Sequence, residues 1–258
     1  MQLKKLYNPT EGQMRVAALM SGTGTNLVKI IEHEKKLNKE REKSPYHIVV
    51  IFSDTFDSNA TRIGKDYDIP VITHDIKGFY SAKNKPRTDL ETRVNFDNET
   101  VKALSPYNIK AAVYAGYMSI VTKPLINAFL GINVHPADLS IIQGNKKKYS
   151  GAHAIRKAIL AGEKYLKSTT HIIEPRVDYG KILMISQPLK VELGDNFDPN
   201  DKAIVKKVEY ENQERLKKAG DWIIFPKTLQ YIAEGRYSKD KTGHLYFDEK
   251  PIPNGLKI

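Results

Sequence analysis

Apolar and polar positions fall along this chain in blocks that read as strand, turn and helix in repeated succession. Residues 14–20 form an almost unbroken apolar run, the pattern of a strand covered on both faces. A turn of small and polar residues follows, Ser21-Gly22-Thr23-Gly24-Thr25-Asn26, and Leu27, Ile30 and Ile31 then recur at the spacing of one helix face. Residues 47–52 repeat the strand pattern and end at Ser53-Asp54, with a helix expected near 60–67 and a short strand at 70–73. Residues 78–87, polar and basic, read as an exposed loop, and 90–104 as a helix. Residues 109–115 read as a further central strand closing on Gly116-Tyr117-Met118, and a short helix at 123–129 follows. Strands alternating with helices over short connections predict an α/β, Rossmann-like fold: one mostly parallel twisted sheet flanked by helices.

The pattern continues with a basic loop at 141–150, a helix at 152–161 closed by Gly162, and a strand at 168–173. In that strand Thr170 and Ile172 share one face, His171 and Ile173 the other. A turn at 174–180 leads to a strand at 182–191, then to a mostly helical stretch at 199–235 interrupted near Gly220, and a hairpin at 244–247. No repeat and no linker divides the chain. A single domain over residues 1–258 is expected, with its core at 14–236, a leader at 1–13 and a tail at 237–258.

The chemistry-bearing stretch runs from Gly131 to Ser140. Its apolar run enters Asn133-Val134-His135 and stops at Pro136, which lacks a ladder donor. In a strand, Asn133 and His135 point the same way, at the carboxyl edge where open α/β sheets bind ligands. A donating amide beside an imidazole suits attack on a carbonyl. The same two side chains could instead close a strand end through backbone hydrogen bonds. The Gly22–Thr25 turn, between strand and helix, suits an anion held by backbone N–H groups. Leu27 stands where a dinucleotide fingerprint needs its third glycine, so a phosphate monoester fits better. A plain tight turn is the other reading.

Composition narrows the partners. Zero cysteines exclude thiol catalysis and disulfides. The net charge of +11 favours anionic partners, yet the basic residues are scattered among 30 acids, with Lys146-Lys147-Lys148 the one tight run. Small phosphorylated molecules are therefore expected rather than nucleic acid. No membrane span is visible, and residues 1–13 lack the apolar centre of a secretory signal, which makes the cytoplasm the expected location.

Taken together, the Ser21–Leu27 turn, Ala115-Gly116-Tyr117-Met118, Asn133-Val134-His135-Pro136 and the stretch from His171 to Gly180 resemble the folate-dependent formyltransferase family, over about residues 14–236. The resemblance implies a catalytic set of Asn133, His135 and Asp178, the last lying seven residues after His171. It implies formyl transfer from 10-formyltetrahydrofolate, without a metal, to the primary amine of glycinamide ribonucleotide in purine synthesis. Asn133 and a protonated His135 would stabilise the developing oxyanion, with Asp178 favouring the charged imidazole. By the same resemblance, Gly22, Thr23, Gly24, Thr25 and Asn26, with Lys218 and Asp221 from a late helix, hold the substrate phosphate end. Tyr117, Met118, Val121, Asn133 and Asp178 contact the folate.

The chain departs from the family pattern at Ser119, where an arginine is frequent, at Ala137 in place of serine, and at Ser150, where a proline precedes the glycine. These leave open another phosphorylated amine, such as an amino-sugar nucleotide, or a non-catalytic RNA-binding member. Read by themselves, Asp178 near Gly180 is ordinary turn chemistry and His171 a strand residue that packs or hydrogen-bonds. His153 reads as structural, and Tyr117 and Met118 as pocket wall or core. The oligomeric state is not legible.

Overall fold

Eight strands form the central sheet of the computed structural model, which describes residues 2–258. In chain order they are β1 (Met14–Met20), β2 (Tyr46–Ser53), β3 (Val71–Thr73), β4 (Ala111–Tyr114), β5 (Leu130–His135), β6 (Thr169–Ile172), β7 (Ile182–Ile185) and β8 (Leu256–Lys257). Across the sheet the order is β8-β7-β6-β5-β4-β1-β2-β3. The strands from β3 to β5 are all parallel. Strand β6 is antiparallel to both its neighbours, β5 and β7, and β8 adds to β7 in parallel.

The helices are α1 (Thr25–Arg41), α2 (Ala60–Tyr67), α3 (Ile76–Ala82), α4 (Leu90–Leu104), α5 (Lys123–Ala128), α6 (Ala154–Leu160), α7 (Lys202–Leu216) and α8 (Trp222–Ala233). Alternate residues of β1 feed two cores. Val16, Ala18 and Met20 pack with Leu27 and Ile30 of α1 and Phe225 and Leu229 of α8. Ala17 and Leu19 pack on the other face with Phe52, Phe96 of α4 and Leu125 of α5. Both faces of the sheet are covered, which is why β1 reads as an almost unbroken apolar run, interrupted only at Arg15. Among the described residues, no helix is long and apolar enough to cross a membrane.

Three segments differ from the sequence pattern. Residues 78–87 are not wholly an exposed loop, because α3 takes in the first five of them. Asp75 caps that helix by accepting the Gly78 N–H at 2.6 Å, and Tyr80 is buried. Ile76, Phe79 and Tyr80 supply the i, i+3, i+4 face hidden by the polar residues between them. The strand expected at 182–191 breaks after β7, where Pro188 lacks a donor, and Leu189–Lys190 pairs instead with Tyr165–Leu166. The basic loop at 141–150 contains a small hairpin, Ile142–Gln143 against Lys146–Lys147. In the tail, Leu245–Phe247 does form a hairpin, pairing with Tyr237–Lys239 in a second, four-stranded sheet.

Gly180 ends the loop that follows β6, and its position leaves no space for a side chain. A Cβ there would lie 1.7 Å from the backbone oxygen of Ile172. Gly180→Ala is expected to lower stability by about 3 kcal/mol or to prevent folding. Urea unfolding checks this, and an unchanged midpoint would contradict the close approach.

Candidate active site

Strands β1 and β4 are neighbours whose connections leave in opposite directions, so their carboxyl ends open a crevice. A cavity of about 720 Å³ fills it, a size suited to small-molecule ligands. Its walls are the Gly22–Asn26 turn, the 114–121 segment, Asn133 to Pro136, the start of α6, and the loop around Asp178.

At one end, the turn is shaped to receive an anion. Its carbonyls are tied away from the cavity: Asn59 donates its backbone N–H to Gly22 O at 3.0 Å and its side-chain amide to Thr23 O at 3.2 Å. Gly24 adopts φ +71°, and a Cβ there would meet Ile63 at 2.5 Å, so glycine is needed on both counts. No side chain caps α1, which leaves its first-turn N–H groups and the positive end of its dipole for a ligand.

At the other end, Asn133, His135, His171 and Asp178 converge. The antiparallel register sets His171 directly opposite Asn133 and Thr169 opposite His135. Asn133 Nδ2 lies 3.2 Å from His171 Nε2, and His171 Nδ1 lies 2.9 Å from Ile172 O. Asp178 then turns back with φ +60°. Its Oδ2 accepts the Gly151 N–H at 2.7 Å and lies 3.3 Å from His135 Nδ1, while Oδ1 lies 3.4 Å from His171 Nε2. Burial alone would raise the Asp178 pKa, but the contact with His171, the nearby His135 and the Gly151 N–H outweigh it and hold the carboxyl at about 2.

His135 Nε2 lies 2.7 Å from Tyr149 O. A carbonyl can only accept, so Nε2 carries the hydrogen and Nδ1 is the atom that titrates, facing Asp178. The charged form expected beside a carboxylate is not the favoured resting state. Burial, the largest influence, pushes the pKa below its ordinary value, although Asp178 and the Tyr149 carbonyl oppose it; His171 and Lys147 add to the lowering.

Of the sequence-predicted residues, Gly22, Thr23, Gly24, Thr25, Asn26, Tyr117, Met118, Val121, Asn133, His135, Asp178 and Asp221 all border this cavity. Lys218 does not. It is exposed, and Lys217 lines the wall instead. Residues Lys217–Asp221 form a π turn between α7 and α8, which sets Lys217 rather than Lys218, the residue the resemblance implies, toward the cavity. Asp221 is buried, accepting from Ser168 Oγ at 2.5 Å and from Asn26 Nδ2 at 3.4 Å. Met118 is exposed, whereas Tyr117 packs on Phe52 and Tyr114 and accepts from Arg93 Nη2 at 2.9 Å.

Several participants escaped the sequence reading. His171 touches two of the three expected catalytic side chains. His153, with φ +57°, borders the cavity and lies 3.2 Å from Glu209. The departures also find partners. Ser119 hydrogen-bonds to Asp54, Ala137 offers its carbonyl to Thr169 Oγ1 at 2.6 Å, and Ser150 Oγ donates to Lys147 O at 3.1 Å.

An amide and an imidazole at a strand end, backed by a carboxylate, thus share one cavity with the uncapped Gly22–Asn26 turn. The chain belongs to the formyl transferase family, whose profile matches residues 14–209. It is 27% identical over 243 residues to the phosphoribosylglycinamide formyltransferase of Haemophilus influenzae, covering 93% of this chain and 96% of that protein. It is 26% identical over 235 residues to the trifunctional purine biosynthetic protein adenosine-3 of Gallus gallus, covering 90% of this chain but only 20% of that protein. The chain thus spans about a fifth of the length of that trifunctional relative. The fold matches the structure of the phosphoribosylglycinamide formyltransferase from Coxiella burnetii with a TM-score of 0.68 at 23% identity, over 95% of this chain and 99% of that one.

Burial raises the Asp221 pKa to about 6, against the pull of Ser168, Asn26 and Lys217. A folded-state value above the unfolded one means that this contribution to stability is complete below the unfolded value near 4 and is lost as pH rises through about 6. Asp221→Asn cannot ionise. Its stability relative to the parent is expected to improve by up to about 3 kcal/mol between pH 4 and pH 8, read by urea midpoints. A pH-independent difference would contradict the buried, raised carboxyl.

Proposed function

We propose that the chain transfers a formyl group from 10-formyltetrahydrofolate to the primary amine of glycinamide ribonucleotide, a step of purine synthesis. One observation carries the reading: Asn133, His135 and Asp178 open into the same cavity as the uncapped Gly22–Asn26 turn. The N–H groups of that turn receive the 5-phosphate of the acceptor, with Asn26, Lys217 and Asp221 beside it. Tyr117, Met118 and Val121 line the part of the cavity assigned to the folate. When bound there, the folate supplies the formyl carbon as electrophile.

The residues then divide the work. Asn133 has two amide hydrogens; one points to His171, which leaves the other for the formyl oxygen as negative charge grows on it. The new C–N bond forms at the acceptor amine, and the donor C–N bond breaks. The proton lost by the amine reaches His135 Nδ1, where Asp178 stabilises the resulting imidazolium. The proton then returns to the leaving nitrogen. The scheme calls for no metal.

Formyl release from 10-formyltetrahydrofolate, measured with and without glycinamide ribonucleotide, tests the reading. Strict dependence on the amine is expected, and release without it would indicate hydrolysis instead. Asn133→Ala and His135→Ala are each expected to lose about 100- to 1000-fold in turnover while remaining folded. Unchanged turnover would sink the site. Because His135 acts unprotonated and its pKa is lowered, the acid limb of kcat/KM is expected below the ordinary histidine value of about 6.5. A limb above that value would contradict the resting neutral ring.

A further inference from the structure

The lysine run at 146–148 is more than a solvated surface. Lys147 leaves the small hairpin on its inner side and is half-buried, and its ammonium donates to Asp178 O and Gly180 O, both at 3.0 Å. Its own N–H donates to Tyr179 Oη at 3.0 Å. The Tyr179 ring is further fixed by the Arg176 guanidinium, 3.4 Å from its centroid. One residue thereby holds three consecutive positions of the loop that carries Asp178.

We infer that Lys147 is a positioning residue for the proposed formyl transfer, acting through Asp178 rather than on substrate. The inference rests on the reading that Asp178 serves the reaction. Left-handed backbone is less favourable for a side chain other than glycine, and Asp178 adopts it at φ +60°. Without an outside hold, the backbone would relax and carry the carboxylate off its three contacts with His135, His171 and the Gly151 N–H. Two charge-assisted hydrogen bonds to the flanking carbonyls supply that hold. Lys147 lies outside the cavity wall, so it touches neither substrate position. The charged and titratable groups around the arrangement are Asp178, Glu174 and Lys181 near Lys147, and His171 with Asp178 near His135.

The experiment compares Lys147→Met and Lys147→Arg in the full chain by steady-state kinetics, thermal unfolding and amide NMR. The Gly151 amide, which donates to Asp178 Oδ2, reports on the carboxylate without reference to turnover. In Lys147→Met, kcat is expected to fall about 10- to 100-fold, the scale of a catalytic group displaced by an ångström or less. KM for both substrates stays as in the parent, and the Gly151 amide resonance moves upfield as its hydrogen bond lengthens. Lys147→Arg keeps the charge and two donors, and is expected to recover most of kcat and the parent resonance. Parent-like kcat and Gly151 resonance in Lys147→Met would overturn the inference. So would a matching fall in Tm and kcat in both variants with the resonance unmoved, which would mark a general packing role. If the parent chain shows no formyl transfer, the reading of its function fails. The Gly151 resonance then still decides whether Lys147 places the Asp178 carboxylate.

Discussion

The Asp178 carboxylate is the interaction on which the site closes. A lone buried carboxylate costs several kcal/mol; this one accepts the Gly151 N–H and has an imidazole within 3.4 Å on each oxygen, either of which pairs with it on taking up a proton. Each of those partners comes from a different element. His135 ends β5, His171 lies in β6, and Gly151 precedes α6. The carboxylate therefore ties a parallel strand, an antiparallel strand and a helix start into one arrangement. The positive φ of Asp178 and the close approach of Gly180 to β6 are the backbone conditions for that arrangement.

The sheet divides the labour along the same line. Its parallel part, through β1 and α1, supplies a turn that borders the cavity and whose Gly22 and Thr23 carbonyls are taken up by Asn59. The reversal of direction at β6 brings His171 level with Asn133, which a parallel crossover would set in a different pairing pattern. The cavity lies across the seam between the two parts, so a ligand with an anionic end and a reactive end can span it.

Strong local signals made much of this legible from the chain. The almost unbroken apolar run of β1, the Gly22–Asn26 turn and the stop at Pro136 each have a direct physical cause, and each stands where the pattern put it. Asp178 stood out only through the family resemblance, which sets an aspartate seven residues after His171, since a turn aspartate carries no signal of its own. What stayed hidden depends on contacts between distant segments. The π turn that replaces Lys218 by Lys217 at the wall leaves no mark in composition. The protonation of His135 turns on burial, and a neighbouring carboxylate pointed the wrong way. Lys147 looks like its two neighbours in the run until the hairpin turns it inward.

The ends of the central sheet deserve a different reading. Its inner strands β1 and β2 run seven and eight residues, whereas the outermost ones, β3 and β8, have three and two. Each border therefore exposes only a few unpaired backbone groups. A stray extended peptide, or the border of another molecule, finds too short a template to extend the ladder. The taper at both borders makes the sheet self-terminating and guards a concentrated solution of this protein against edge-to-edge growth.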